Sequence, residues 1–164
     1  MKILIISDSH DNVVNLEKVL AWAKENGVEA LIHAGDLSAP SILGKVIAPN
    51  FSGSIHLVLG NVGDSILTKV VADKFSQVKY YGEQGEFELA GKKIALAHEP
   101  AKAEPLINSG KYDLVIYGHT HQAEVKTVGP TLVVNPGTLG GLFAPATFAV
   151  YNTDTGAAEI KEVK

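Results

Sequence analysis

The sequence predicts an α/β (α+β) fold in which two mixed β-sheets pack as a sandwich with helices on their outer faces. Three observations support this fold. Short apolar runs alternate with segments of helical periodicity in the first half of the chain, the second half consists mostly of strand-like segments, and Gly or Pro turns separate the elements. With 164 residues, 46% of them apolar, we expect a single domain over residues 1–164 with one hydrophobic core.

The first half of the chain predicts alternating strands and helices. The continuously apolar run at residues 3–6 is typical of a central strand buried on both faces. Asp11 or Asn12 offers an N-cap for a helix that ends near Gly27. The following strands are predicted at residues 30–34 and 55–59, and the following helices at residues 42–47 and between residues 65 and 75.

The second half of the chain predicts mainly strands. Residues 87–89 and 94–96 form a predicted hairpin around Ala90 and Gly91. A short helix that ends at Gly110 is predicted at residues 105–109. The remaining strands, expected to supply most of the second sheet, are predicted at residues 114–117, 124–128, 132–134, 148–151 and 158–163.

Polar side chains follow the carboxyl ends of five predicted strands. Because ligands of open α/β sheets bind outside these strand ends, we expect the side chains to surround one pocket. We interpret His33 and His56, which lie within apolar strands, as core histidines, and Asp11 as a helix cap. The candidate site residues are Asp8, His10, Asp36, Asn61, His98, His119 and His121.

The spacing of these residues indicates a metal site. Asp8 and His10, like His119 and His121, are two residues apart, so their side chains can project to the same side of extended backbone. The chain contains no cysteine, and any metal must therefore be held by nitrogen and oxygen ligands.

The motifs carry a resemblance to a known family. The chain resembles the calcineurin-like metallophosphoesterases, in their small single-domain phosphodiesterase branch, through Asp8-Ser9-His10, Gly35-Asp36, Gly60-Asn61, His98 and Gly118-His119-Thr120-His121. The resemblance implies a metallophosphoesterase fold and a pair of divalent metal ions. It implies that one ion is held by Asp8, His10, Asp36 and His121, and the other by Asp36, Asn61, His98 and His119, with Asp36 as the bridge.

The implied activity is hydrolysis of small or activated phosphodiesters by in-line attack of a metal-bridging hydroxide. We assign catalytic roles to Asp8, His10, Asp36, Asn61 and His98. We expect Mn²⁺, and Ni²⁺, Fe²⁺, Co²⁺ and Zn²⁺ suit the same ligands.

Three positions depart from the family pattern. Val62 stands where larger members have a histidine that protonates the leaving group, so leaving groups of low pKa should react best unless Asp64 or a water supplies the proton. Ser65 replaces an arginine that is common in the phosphodiesterase branch, and Glu99 with Pro100 follows His98 where the family usually has glycine.

Charge and composition limit the partners. All 14 basic residues are lysines and the net charge is −4, so the chain lacks the basic surface that tracks a long nucleic acid. The apolar N-terminal run is interrupted by Asp8 and His10 before it reaches the length of a signal peptide or membrane span. We therefore expect a cytoplasmic protein that acts on a small phosphodiester, away from membranes, and a homo-oligomer is compatible with the sequence.

Two alternative functions stay open. The resemblance extends to a eukaryotic retromer subunit that uses this fold chiefly to bind other proteins, although a complete ligand set favours an enzyme. A phosphomonoesterase would use the same metal centre. Asn135 and Thr138 form either a purely structural turn or a support for the site.

Overall fold

The computed structural model describes all residues from Met1 to Lys164, and its chain forms two mixed sheets. The strands are β1 (Lys2–Ile6), β2 (Ala30–His33), β3 (Ser54–Leu57), β4 (Val78–Tyr80), β5 (Gln84–Leu89), β6 (Lys92–Ala97), β7 (Leu114–Ile116), β8 (Glu124–Val128), β9 (Thr131–Asn135), β10 (Thr147–Asn152) and β11 (Ala157–Glu162). The helices are α1 (Val13–Glu25), α2 (Pro40–Ile42), α3 (Ala48–Asn50), α4 (Ser65–Ala72) and α5 (Pro100–Ser109), with a π-helical turn at Leu43–Ile47 between α2 and α3.

The first sheet has the strand order β11-β10-β1-β2-β3-β4. Strands β1 to β4 are parallel to their neighbours, with Ile3 opposite Ala30, whereas β10 runs antiparallel to β1. The prediction that β1 is central is confirmed. The last two strands return to this sheet instead of joining the second, because the other edge of β1, in which residues 3–6 are buried, must also be covered.

The second sheet has the strand order β5-β6-β7-β9-β8. The predicted hairpin is confirmed as β5 and β6, joined at Ala90 and Gly91. Strands β6, β7 and β9 are parallel, so their carboxyl ends lie at one edge. Strand β4 was not predicted from the sequence, because its three residues are too few to show a period.

The helices differ from their predicted bounds in three places. Asn12 caps α1 through its side chain, whereas the Asp11 carboxylate accepts the N–H of Ala39 at 3.0 Å, so the prediction that Asp11 is the cap is wrong. Helix α5 begins at Pro100 instead of Pro105, because Pro100 already fills the first helical turn. The predicted helix at residues 42–47 is extended by α2 and α3. None of the helices is both long and apolar enough to cross a membrane.

The core is divided into three clusters instead of the single core expected. Leu4 and Ile6 face the helices in a cluster of 18 buried residues, and Ile3 and Ile5 face the second sheet in a cluster of 13. A cluster of 5 lies under α5. The division follows from the period of two in strands that are covered on both faces. The cluster of 13 takes residues from both sheets. We therefore infer that residues 1–164 form one domain.

Candidate metal centre

The seven predicted site residues lie together at the carboxyl ends of the parallel strands of both sheets. Asp8 and His10 follow β1, Asp36 follows β2 and Asn61 follows β3 of the first sheet, whereas His98, His119 and His121 follow strands of the second sheet. Backbone hydrogen bonds join these loops, from the Asp8 N–H to the Gly35 carbonyl at 3.0 Å and from the Gly118 N–H to the His98 carbonyl at 2.9 Å. The loops that carry the site residues are therefore joined to one another by their backbones.

The backbone of the loops that carry the site residues is strained. Five of the seven residues have a left-handed φ, namely Asp8 (50°), His10 (42°), Asp36 (57°), His119 (68°) and His121 (58°). Such values are uncommon for residues other than glycine and cluster at functional sites. Gly118 allows the closest approach, because a Cβ there would lie 1.9 Å from Ser7 Oγ and 2.7 Å from Asp8 Oδ2.

Asp8, His10 and His121 form the first group of converging ligand atoms. Asp8 Oδ1 lies 3.2 Å from His121 Nε2, which lies 3.3 Å from His10 Nε2. His121 Nδ1 lies 3.2 Å from the carbonyl of Leu142 and donates its hydrogen there, so Nε2 presents a lone pair to the other two residues.

Asp8 supplies the observation that tests whether this group fits a metal. The residue is fully buried, its Oδ2 accepts the N–H of His119 at 3.0 Å, and its Oδ1 has no hydrogen-bond partner. A buried carboxylate oxygen without a partner is costly, and the adjacent imidazole lone pair cannot donate to it. A cation satisfies the oxygen and both imidazoles at once, so the donor set fits a divalent metal.

Asn61, His98 and His119 form the second group. Asn61 Oδ1 lies 3.0 Å from His98 Nε2 and 2.9 Å from His119 Nδ1. His98 Nδ1 donates to the Ala34 carbonyl at 2.7 Å, which leaves its Nε2 as a ligand atom. Asn61 and His119 are exposed whereas His98 is buried, so the site opens to solvent on this side.

Asp36 lies between the two groups. Its Oδ1 is 3.4 Å from His98 Nε2, and its Oδ2 is 4.0 Å from His10 Nε2. The N–H groups of Asn61 and Val62 donate to Oδ1 at 2.8 and 3.0 Å. Asp8 is shared as well, since its Oδ1 is 3.9 Å from His98 Nε2, a proximity that the family resemblance does not imply.

Asp36 and His98 shift each other's pKa. Burial opposes the charge on Asp36, but the hydrogen bond from Nε2 of protonated His98 and the one from the Val62 N–H hold the pKa of the Asp36 carboxyl below its ordinary value. Burial likewise opposes a charge on His98, but Asp36 and the Ala34 carbonyl raise the pKa of His98. The pair therefore attracts positive charge, either a proton or a metal.

Asn135 and Thr138 serve both of the roles left open by the sequence. Asn135 Oδ1 accepts the N–H of Gly137 at 2.9 Å in a local turn, and its Nδ2 donates to the Gly118 carbonyl at 3.0 Å. Thr138 Oγ1 donates to the Asp8 carbonyl at 3.0 Å. The turn thus supports the loops of Asp8 and His119.

His33 and His56 are buried, as expected for core histidines. His33 nevertheless contacts the site loops, since its Nδ1 accepts the Gly35 N–H at 3.2 Å and its Nε2 donates to Ser9 Oγ at 3.0 Å. Burial, followed by the nearby His98, lowers the pKa of His33 to about 3. The sequence gives one sign of this contact. His33 is a polar residue in a strand predicted to be buried on both faces, and a buried polar side chain needs a hydrogen-bond partner.

The positions that depart from the family pattern lie around the site. Val62 donates its N–H to Asp36 and leaves its side chain exposed. Asp64 caps α4 by accepting the N–H of Leu67 at 2.9 Å, so its carboxylate is engaged in the helix terminus. Glu99 forms an ion pair with Lys102 at 3.4 Å, outside both ligand groups.

Comparison with known proteins agrees with this arrangement. Residues 1–156 match the calcineurin-like phosphoesterase superfamily domain. A phosphodiesterase of Methanocaldococcus jannaschii is 32% identical over 140 residues, which cover 84% of this chain and 83% of the relative. A probable metallophosphoesterase of Methanothermobacter thermautotrophicus is 26% identical over 84% of this chain and 76% of its own length.

Solved structures share the fold. The structure of a novel archaeal phosphodiesterase superposes with a TM-score of 0.88 and 28% identity over 99% of both chains. Vacuolar Protein Sorting 29 from Cryptosporidium parvum, at 19% identity and a TM-score of 0.68 over 98% of this chain and 95% of its own, shares the fold alone. The prediction from the motifs is thereby confirmed, and the chain belongs to the calcineurin-like phosphoesterase superfamily.

Proposed function

We propose that this protein is a phosphodiesterase that depends on two divalent metal ions and hydrolyses small or activated phosphodiesters. The observation that carries the proposal is the buried Oδ1 of Asp8, which has no hydrogen-bond partner and lies beside the imidazoles of His10 and His121 at the carboxyl ends of the strands. The relatives named as phosphodiesterases support the same reaction class.

The two ligand groups correspond to two metal positions, for which we expect Mn²⁺. Divalent ions held there would lower the pKa of bound water toward neutrality and would neutralise charge on phosphoryl oxygens. One ion would be held by Asp8, His10, Asp36 and His121, and the other by Asp36, Asn61, His98 and His119.

The residues of the chain prepare the centre for this role. The carbonyls of Ala34 and Leu142 fix the Nδ1 hydrogens of His98 and His121, so that both Nε2 atoms face inward. Asp36 is held by two backbone N–H groups and stays ionised. Little reorganisation is therefore needed when the ligands close around an ion or a phosphate.

Apart from the proposed metal ligands, the residues that follow Asn61 offer no free side chain for protonating a leaving group. Val62 is apolar, and the carboxylate of Asp64 is bound to the N-terminus of α4. A leaving group must therefore depart with little help from a general acid, which favours esters of low-pKa alcohols and phenols.

The proposal is tested with bis-p-nitrophenyl phosphate and Mn²⁺, Ni²⁺ or Mg²⁺, in the presence and absence of a chelator. We expect metal-dependent release of p-nitrophenolate that falls at least about a hundredfold in Asp36→Asn and His98→Ala. Glu99→Gln is the matched control, because it changes a carboxylate next to His98 that lies outside both ligand groups.

Hydrolysis that persists unchanged in Asp36→Asn and His98→Ala would overturn the proposal. Metal content distinguishes the enzyme from a protein-binding scaffold, since a scaffold need not retain two ions per chain. A phosphomonoesterase would instead hydrolyse p-nitrophenyl phosphate faster than the diester.

A further inference from the structure

Two short apolar segments are joined through their backbones to the ligands of the candidate metal centre. Val62 follows Asn61 and donates its N–H to Asp36 Oδ1 at 3.0 Å. At the other end, the carbonyl of Leu142 accepts the Nδ1 hydrogen of His121 at 3.2 Å, and Phe143 comes next in the chain. Each end of the centre therefore has an apolar residue one hydrogen bond away from a ligand.

The side chains of these two segments are exposed to solvent. Val62 has an exposed fraction of 36%, Leu142 of 43%, and Phe143 is fully exposed. Phe143 also has a left-handed φ of 63°, a conformation that is unfavourable for residues other than glycine. Neither packing nor backbone preference explains an aromatic side chain in this position.

The segment that carries Leu142 and Phe143 begins in firm contact with the site. The Gly140 N–H donates to the Asp8 carbonyl at 2.9 Å, and the Gly140 carbonyl accepts from Asn12 Nδ2 at 3.1 Å. A Cβ at Gly140 would lie 3.0 Å from the Asp8 carbonyl oxygen and 3.5 Å from His10 Cβ. The hydrogen bonds of Gly140 thus hold the start of the segment that carries Leu142 and Phe143 next to the loop of Asp8 and His10.

The lack of charged residues in these segments indicates which substrate groups they can bind. No charged residue occurs between Lys126 and Asp154, and the chain contains no arginine. Val62 is followed by Gly63, so the opposite end is also without a cation at these positions. These segments therefore offer no positive side chain of their own to a second phosphate of a substrate, whereas an apolar group would bury their exposed apolar surface.

We propose that Val62, Leu142 and Phe143 are specificity residues that bind the organic groups of the phosphodiester, and that the substrate class is diesters with an apolar ester group. This inference rests on the proposed phosphodiesterase function. A diester carries two organic groups on phosphorus, and we assign one of them to each of the two apolar segments, which touch different ligands of the centre. Contacts with the group that stays on phosphorus would raise kcat/KM by positioning the ester.

The experiment compares two esters that share the p-nitrophenolate leaving group, methyl p-nitrophenyl phosphate and phenyl p-nitrophenyl phosphate. The variants are Val62→Ala and the double variant Leu142→Ala/Phe143→Ala, assayed with Mn²⁺. Val70→Ala is the control, since Val70 on α4 is also exposed, at 49%, but has no hydrogen-bonded link to a ligand. Ratios between variants cancel the different intrinsic reactivities of the two esters.

We expect the double variant to lose about tenfold more kcat/KM on the phenyl ester than on the methyl ester, and Val70→Ala to keep the wild-type ratio. The dissociation constant of diphenyl phosphate, measured by calorimetry with the metal-loaded protein, should rise in the double variant while that of dimethyl phosphate changes less. Circular dichroism verifies that each variant is folded.

Equal losses on both esters would overturn the specificity role while leaving the phosphodiesterase function intact. Failure of the wild-type protein to hydrolyse either ester with any of the metals would overturn the proposed function itself. Binding of diphenyl phosphate that is unaffected in the double variant would also contradict the role of Leu142 and Phe143.

Discussion

The imidazole of His33 connects the loop of Asp8 and His10 with the loop of Asp36. Its Nδ1 accepts the Gly35 N–H at 3.2 Å and its Nε2 lies 3.0 Å from Ser9 Oγ. Because Nδ1 accepts a hydrogen, Nε2 must carry one, so a single neutral tautomer satisfies both contacts. A residue buried in strand β2 thus sets the distance between two predicted ligand loops.

The first prediction concerns this connection. His33→Phe removes both hydrogen bonds and leaves the Ser9 hydroxyl and the Gly35 N–H buried without partners, at a cost of about 1–3 kcal/mol each. We expect a lower free energy of unfolding in urea and weaker binding of Mn²⁺ by calorimetry. Ser9→Ala removes only the Ser9 contact and should give a smaller loss of both. Wild-type metal affinity in both variants would contradict a positioning role of His33.

The second prediction concerns Asp8 without metal. Its Oδ1 is buried and unpartnered, so Asp8→Asn removes an uncompensated charge and provides an amide hydrogen for His121 Nε2, 3.2 Å away. In the presence of a chelator we expect Asp8→Asn to raise the melting temperature by a few degrees. Addition of Mn²⁺ should then stabilise the wild-type protein but not the variant, as measured by calorimetric unfolding. A lower melting temperature of the metal-free variant would contradict this account.

The predicted ligand set could be read from the sequence because its positions are fixed by strand ends. Asp8 and Asp36 each follow a continuously apolar run, and parallel strands bring such ends to one edge of a sheet. His98 and His119 follow β6 and β7 of the second sheet in the same manner. Local patterns were therefore enough to predict that these residues, far apart in the chain, come together in the fold.

Other features depend on contacts between distant segments and leave no local pattern. The return of β10 to β1 pairs Lys2 with Asn152, and no periodicity distinguishes this partner from a strand of the second sheet. The role of His33 was missed for the same reason, because Ser9 lies 24 residues away. Asp11 and Asn12 are equivalent as caps by residue type, and only the contact with Ala39 separates them.

The third prediction is a pH dependence of stability that arises at His56. Burial, followed by the charge of Lys79, lowers the pKa of His56 to about 4, whereas the unfolded residue titrates near 6.5. Between these values the unfolded chain binds a proton that the folded protein does not. The free energy of unfolding should therefore fall as pH decreases from 6.5 to 4, by up to about 1.4 kcal/mol per pH unit from this group.

The measurement for His56 is urea unfolding at pH 7, 6 and 5 in the presence of a chelator. His56→Gln is expected to lower stability at pH 7, because the ring stacks on Phe87 at 4.3 Å between centroids and bonds the Tyr81 hydroxyl at 2.8 Å. The variant should nevertheless lose less stability than the wild type on acidification. Parallel pH profiles for the two proteins would show that His56 titrates normally in the folded state.

The last prediction concerns the glycine that allows the two sheets to meet at the site. Gly118→Ala would place a methyl group 1.9 Å from Ser7 Oγ and 2.7 Å from Asp8 Oδ2, so the loop of His119 must move away from the loop of Asp8. We expect loss of Mn²⁺ binding by calorimetry together with destabilisation of about 1–3 kcal/mol. Gly91→Ala is the matched control, because Gly91 has a left-handed φ of 73° but open space around its Cα, and it should cost only about 1 kcal/mol without affecting the metal. Retention of full metal affinity in Gly118→Ala would mean that the contact between these two loops does not set the ligand geometry.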